Sequence, residues 1–291
     1  RYDHGQGSAQ VSRSRFVAAL GHEVHVTEWG DPSKPALVMW HGLARTGRDF
    51  DELALALSDR WFVLCPDTIG RGLSSWSRAP ADEYLPEFYA ALALALLDAY
   101  QIKTCAWLGT SLGGLIGMKI ASGPNAARLN ALIINDIAPV VPSDAIARIL
   151  QYATDLPLFE TVTQAEQWLR TVYAPFGPAE DAFWQRMAET SVRRMRDGGL
   201  TLHYDPKMVQ MLKAPAEALG GWDQYEKITT PTHVLRGRTS DILPEALAER
   251  MAQSGPRPNV TVFEEAGHAP SLSRSADARI VADILEQLSG S

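Results

Sequence analysis

The spacing of apolar positions changes several times along the chain, and each change marks an element. Residues 15–20 (RFVAAL) and 23–29 (EVHVTEW) alternate on either side of Gly21-His22, which predicts a hairpin. Residues 36–40 (ALVMW), 61–65 (WFVLC), 105–109 (CAWLG) and 131–135 (ALIIN) are unbroken apolar runs, as expected of strands buried on both faces. Between them, residues 48–60, 88–102 and 111–122 repeat apolar side chains at helical spacing. The alternation returns near the end, with strands at 232–237 and 259–263 and helices at 244–253 and 275–288. Strands alternating with helices predict a mostly parallel central sheet flanked by helices.

Residues 138–228 interrupt this order. They carry little strand signal and many large side chains, among them Trp168, Tyr173, Phe176, Phe183, Trp184, Met187, Met195, Tyr204, Met208 and Met211. A helical insertion is expected, some of these residues holding it together and others roofing a pocket. The core is then 1–137 with 229–291, and the insertion 138–228.

Composition narrows the classes of partner. The chain has 291 residues and a net charge of −7, which disfavours binding to phosphate backbones, so no nucleic acid is expected. The basic cluster Arg193, Arg194, Arg196 is expected to be a solvated helix face, with a grip on a substrate carboxylate as the alternative. The run 88–102 is too short to span a bilayer and contains Asp98, so no membrane partner is expected. Cys65 and Cys105 lie in apolar strands and suggest small buried hydrophobes in a reducing, cytoplasmic setting. No secretory signal pattern is visible. His22 and His25 lack a companion ligand cluster, so no metal and no cofactor is expected. Oligomeric state is not encoded by any motif here.

The chemistry centres on AWLGTSLGGLIGMK, residues 106–119. A strand ending at Gly109, then Ser111, then a helix starting at once is the Gly-x-Ser-x-Gly nucleophile elbow, with Gly109 and Gly113 where side chains would clash. A dinucleotide fingerprint would need glycine at Ser111, and a P-loop would need Gly-Lys-Ser/Thr. A serine needs a base and an orienting carboxylate. Of seven histidines, His4 is in the N-terminal tail, His22 and His25 in the hairpin, His203 in the insertion, and His233 at a strand start. His268 follows the last strand and is the expected base. Asp241, after the preceding strand, is the preferred acid.

These features resemble the α/β-hydrolase fold superfamily from about residue 15 onward. The similarity rests on HG (41–42), PDTIGRGLS (66–74), GTSLGG (109–114), RGRTSDIL (236–243) and GHAP (267–270), in that order. The resemblance implies a helical cap inserted after the sixth strand, and an oxyanion hole from the backbone N–H groups of Leu43 and Leu112. Asp241 departs from it, standing four residues after Gly237 where three is common. Some members of the superfamily instead take the acid from the end of the strand after the nucleophile helix, where this chain carries the alternative, Asp136. His41 and Arg45 are expected to shape the loop beside the oxyanion hole. The serine implies hydrolysis of a small-to-medium carboxylic ester through an acyl-enzyme, with the small-molecule ester as partner. The alternatives are a C–C bond hydrolase of aromatic ring-cleavage products, a lactonase, a thioesterase, a cofactor-free perhydrolase and a non-catalytic ligand receptor.

Overall fold

A computed structural model describes residues 12–214 and 219–290. His4 and the start of the expected core lie outside them. In chain order the elements before the insertion are β1 (Arg13–Ala19), β2 (His22–Trp29), β3 (Ala36–Trp40), α1 (Asp51–Leu57), β4 (Phe62–Pro66), α2 (Pro80–Glu83), α3 (Pro86–Ala99), β5 (Cys105–Thr110), α4 (Leu112–Ala121) and β6 (Leu129–Asn135). After the insertion, which holds β7 to β9 and α5 to α8, come β10 (Thr232–Gly237), α9 (Glu245–Gln253), β11 (Asn259–Phe263) and α10 (Ser275–Ser289).

The eight core strands form one sheet in the order β1-β2-β4-β3-β5-β6-β10-β11. The β1–β2 and β2–β4 pairs are antiparallel, and every later pair is parallel. The β1–β2 turn places Leu20 and Gly21 at φ 48° and 79°, both left-handed, as a two-residue hairpin turn requires.

Why the central strands read as unbroken apolar runs is visible in their alternation. Val38 and Trp40 face one core, with Leu64, Trp107 and Ile134 beside them. Leu37 and Met39 face the other, with Val63, Leu108 and Ile133. Helices α3 and α4 pack together against the first face, while α1 and α10 cover the second. Cys65 and Cys105 are free and buried, and burial pushes the Cys105 thiol up to about 12.

The insertion differs from the all-helical expectation. Besides α5 (Ser143–Ala153), α6 (Val162–Val172), α7 (Asp181–Ser191) and the short α8 (Trp222–Tyr225), it contains an antiparallel sheet in the order β7-β9-β8. Its strands Leu158–Phe159, Val192–Arg194 and Leu200–Leu202 have two or three residues each, too few for a period-2 signal. Arg193 and Arg194 therefore sit on a strand, not on the expected helix face.

Candidate active site

Ser111 stands between β5 and α4 with φ 52° and ψ −111°, a backbone conformation strained for an L-residue. The surroundings hold it there. Its N–H donates to Asn135 O at 2.9 Å, and its carbonyl accepts from the N–H groups of Gly114 and Leu115. A Cβ on Gly109 would collide with the Gly113 carbonyl, and one on Gly113 with the carbonyl of Trp40. Trp40 and Trp107 stack at 5.4 Å beneath the turn, and the Trp107 indole N–H donates to Gly113 O at 2.9 Å.

His268 reaches Ser111 from the loop after β11. Its Nε2 lies 3.0 Å from Ser111 Oγ, and its Nδ1 lies 2.8 Å from Asp136 Oδ2. A carboxylate can only accept, so Nδ1 carries the proton and Nε2 is left to accept the serine hydroxyl. Asp136 is fully buried. Its Oδ1 accepts from the Gly237 N–H at 2.8 Å, and its Oδ2 also accepts from the Ser240 hydroxyl at 2.6 Å.

The preference for Asp241 as the carboxylate is corrected by this geometry. The turn after β10 closes with the Ser240 N–H on Gly237 O, which brings Ser240 inward to Asp136 and leaves Asp241 outside. Asp241 is half-exposed and accepts from Arg148 Nε at 2.6 Å and Nη2 at 3.0 Å. The loop that was expected to give a carboxylate gives a hydroxyl.

The expected oxyanion donors are the N–H groups of Leu43 and Leu112. Leu112 is the first residue of α4, where an N–H has no acceptor within the helix. The Leu43 N–H belongs to the peptide whose carbonyl is Gly42 O. In a trans peptide the two point opposite ways, so fixing the oxygen aims the N–H. Gly42 O accepts from the Arg45 N–H at 3.3 Å and from His41 Nδ1 at 2.6 Å. The Thr68 N–H donates to His41 Nε2 at 2.9 Å, which leaves the ring proton on Nδ1. Burial lowers the His41 pKa to about 4, against a smaller opposite pull from Asp67, so the ring is neutral near pH 7. Arg71 Nε donates to Leu43 O at 2.8 Å and fixes the next peptide. His41 thus shapes the loop as expected, and Arg71, which no expectation named, joins it from the 66–74 loop, whose motif was the available signal.

Ser14, His25 and Asp67 repeat the same residue types elsewhere. His25 Nε2 lies 2.6 Å from Ser14 Oγ, and Nδ1 lies 2.8 Å from Asp67 Oδ2. Ser14, however, lies within β1 paired to Thr27, not at a helix N-terminus. The nearby N–H groups of Gly47 and Leu73 are spent on Asp67 itself. Residue types alone do not make an elbow.

The pocket at Ser111 has a free volume of about 60 Å³ and is lined by both core and insertion. The insertion supplies Arg148, Tyr152, Tyr173, Phe176 and Phe183 among others, whereas Trp184, Met187, Tyr204, Met208 and Met211 are buried in the packing beneath. The two expected roles of its large residues thus fall to different positions. Arg193 does not face this pocket and lies over the Trp76 ring. Among the described residues no group of three or more His, Cys, Asp or Glu could hold a metal, and no helix is long and apolar enough to cross a membrane.

The sequence model of the alpha/beta hydrolase family matches residues 37–283. The chain belongs to that family. It is 35% identical over 270 residues to the 3-hydroxybutyrate-oligomer hydrolase of Cupriavidus necator, covering 89% of this chain and 91% of that protein. It is 30% identical over 260 residues to the pimeloyl-[acyl-carrier protein] methyl ester esterase of Chromobacterium violaceum, covering 87% and 94%. An α/β hydrolase from Novosphingobium aromaticivorans superposes with a TM-score of 0.84 at 33% identity, covering 97% of this chain and 100% of that one. This family member is a hydrolase.

Proposed function

We propose that this hydrolase cleaves small carboxylic esters through an acyl-enzyme on Ser111, with His268 as base and Asp136 as the group that orients it. The observation that carries this reading is the continuous relay Asp136–His268–Ser111 opening into the pocket. The Ser111 oxygen adds to the ester carbonyl while its proton passes to His268 Nε2. The N–H groups of Leu43 and Leu112 take the charge that develops on the carbonyl oxygen. Collapse breaks the bond to the alcohol oxygen, which leaves with the proton from His268. Water then repeats the sequence on the acyl-enzyme, with His268 again as base, and releases the acid.

A free volume of about 60 Å³ suits an acyl group of a few heavy atoms. The insertion acts as a cap over it. Two of the relatives carry names of ester-cleaving enzymes, one of them acting on 3-hydroxybutyrate oligomers. Esters of short hydroxy acids are therefore the substrates to try first.

The test is labelling with a small organophosphonate, followed by intact mass and peptide mapping. One adduct on Ser111, and loss of ester hydrolysis by three to six orders of magnitude in Ser111→Ala, is the expected result. An adduct on Ser14 with activity lost, or an active Ser111→Ala, would overturn the reading.

A further inference from the structure

Two guanidinium groups line the pocket at Ser111, and they differ in what they can still do. Arg45 is spent. It is buried, donates through Nε and Nη2 to both oxygens of Asp49, donates again to Ser191 Oγ, and lies 5.0 Å from the Tyr173 ring. Its charge is balanced inside the protein.

Arg148 is not spent. It lies on α5 where the pocket meets solvent, its side chain 40% exposed, and its neighbour one turn on, Tyr152, also lines the pocket. Nε and Nη2 each give one hydrogen bond to Asp241 and the guanidinium also interacts with the Tyr152 hydroxyl, leaving at least two of its five N–H donors for other acceptors. Asp241 is itself 48% exposed, so the pair sits in water, where such pairs are weak and readily exchanged. A planar fork with free donors suits a carboxylate, which it can hold through two parallel bonds.

We infer that Arg148 is a specificity-determining residue that binds a free carboxylate on the substrate, so that the preferred esters are anionic: linear esters of hydroxy acids that end in a carboxylate, or half-esters of dicarboxylic acids. Asp241 competes with the substrate for the same fork and sets how much of it is free. This rests on the ester-hydrolase reading for its chemistry, but the anion site is measurable without turnover.

The experiment compares the linear dimer of 3-hydroxybutyrate with the methyl ester of that dimer, which differs only in its masked carboxylate. In Arg148→Gln the ratio of kcat/KM for the acid over the methyl ester is expected to fall at least tenfold, chiefly through KM of the acid. Arg148→Lys, which keeps the charge and loses the fork, should fall between. Asp241→Asn should raise the ratio. On a Ser111→Ala background, calorimetry should show the acid dimer binding at least tenfold more weakly once Arg148 is Gln. If Arg148 only latches α5 to the core, its loss changes both substrates alike and the ratio stays put, which overturns the carboxylate site while leaving ester hydrolysis standing. If wild-type protein hydrolyses neither dimer yet Ser111→Ala binds the acid through Arg148, the ester reading fails and the anion site stands.

Discussion

Ser240 Oγ lies 2.6 Å from Asp136 Oδ2 and, on its other side, accepts the N–H of Leu243 at 3.0 Å. The hydroxyl is thus fixed by its own loop and delivers its proton to the carboxylate that holds His268. Three donors converge on Asp136: the Gly237 N–H, Ser240 and His268.

Removing the negative charge here should be the more damaging change. Asp136→Asn is expected to lower kcat by roughly four orders of magnitude, because the amide favours the wrong imidazole tautomer. Asp241→Asn should cost orders of magnitude less on the same neutral ester. Steady-state hydrolysis by both folded variants decides it. Greater damage from Asp241→Asn would return the orienting role to the β10 loop.

Why the sequence pointed to the other aspartate is a matter of turn geometry. Both residues follow sheet strands, and both precede His268. Asp136 adopts φ 62°, a left-handed conformation uncommon for a residue other than glycine, and its side chain is buried against Gly237. Which side chain of a turn faces inward depends on such dihedrals, which hydrophobic spacing does not encode. The central strands and the turn at Ser111 were legible because burial on both faces leaves unbroken apolar runs and the clashes at Gly109 and Gly113 exclude side chains. His268 was legible from its place between the last strand and the last helix. Arg148 was not, since its position on the pocket depends on how α5 packs over a core far away in sequence.

His41 should matter through the Leu43 peptide that it holds. With His41→Phe, Gly42 O loses the Nδ1–H donor and keeps only the Arg45 N–H at 3.3 Å, so the Leu43 N–H is aimed less firmly. A loss in kcat of about a hundredfold is expected, comparable to losing one oxyanion donor. KM for a neutral ester should move less than kcat. An unchanged kcat would remove the Leu43 peptide from the reaction.

Gly113→Ala should fail structurally before it fails chemically. The added methyl meets the backbone carbonyl of Trp40, which cannot swing aside as a flexible side chain would. Chemical denaturation should show a loss of at least about 2 kcal/mol, in the range of overpacking and backbone-strain mutants. A variant of wild-type stability would mean that the elbow can relax.

Stability should fall as the solution is acidified from about pH 6.5 towards pH 4. His41 has its ordinary pKa near 6.5 when unfolded and about 4 when folded, because burial disfavours its charged form. In that window the unfolded chain takes up a proton that the folded chain refuses, so stability is full above 6.5 and declines until about pH 4. His41 alone accounts for about 3 kcal/mol. His203 and His233, both lowered chiefly by burial, act in the same direction. Urea midpoints at pH 7, 5.5 and 4.5 measure it. A flat profile would contradict the buried neutral ring.

The insertion is fastened to the core at several places, among them Arg45 to Ser191 and Arg186 to Glu52, and the fastenings beside the pocket differ in kind. On one side, residues 203–205 and 70–72 share backbone bonds, Gly72 N–H to His203 O and Asp205 N–H to Gly70 O, next to the Arg71 side chain that grips Leu43. On another, the N–H groups of Gly267 and Ser271 donate to Pro175 O and Phe176 O, flanking His268. Helix α5, by contrast, reaches the β10 loop through the water-exposed Arg148–Asp241 pair. Mechanically the insertion is a plate riveted along the edges beside Leu43 and His268 and along α7, and clipped at α5. Parting α5 from the β10 loop would break an ion pair that already stands in water, whereas parting the edge beside Leu43 or the one beside His268 would break backbone bonds.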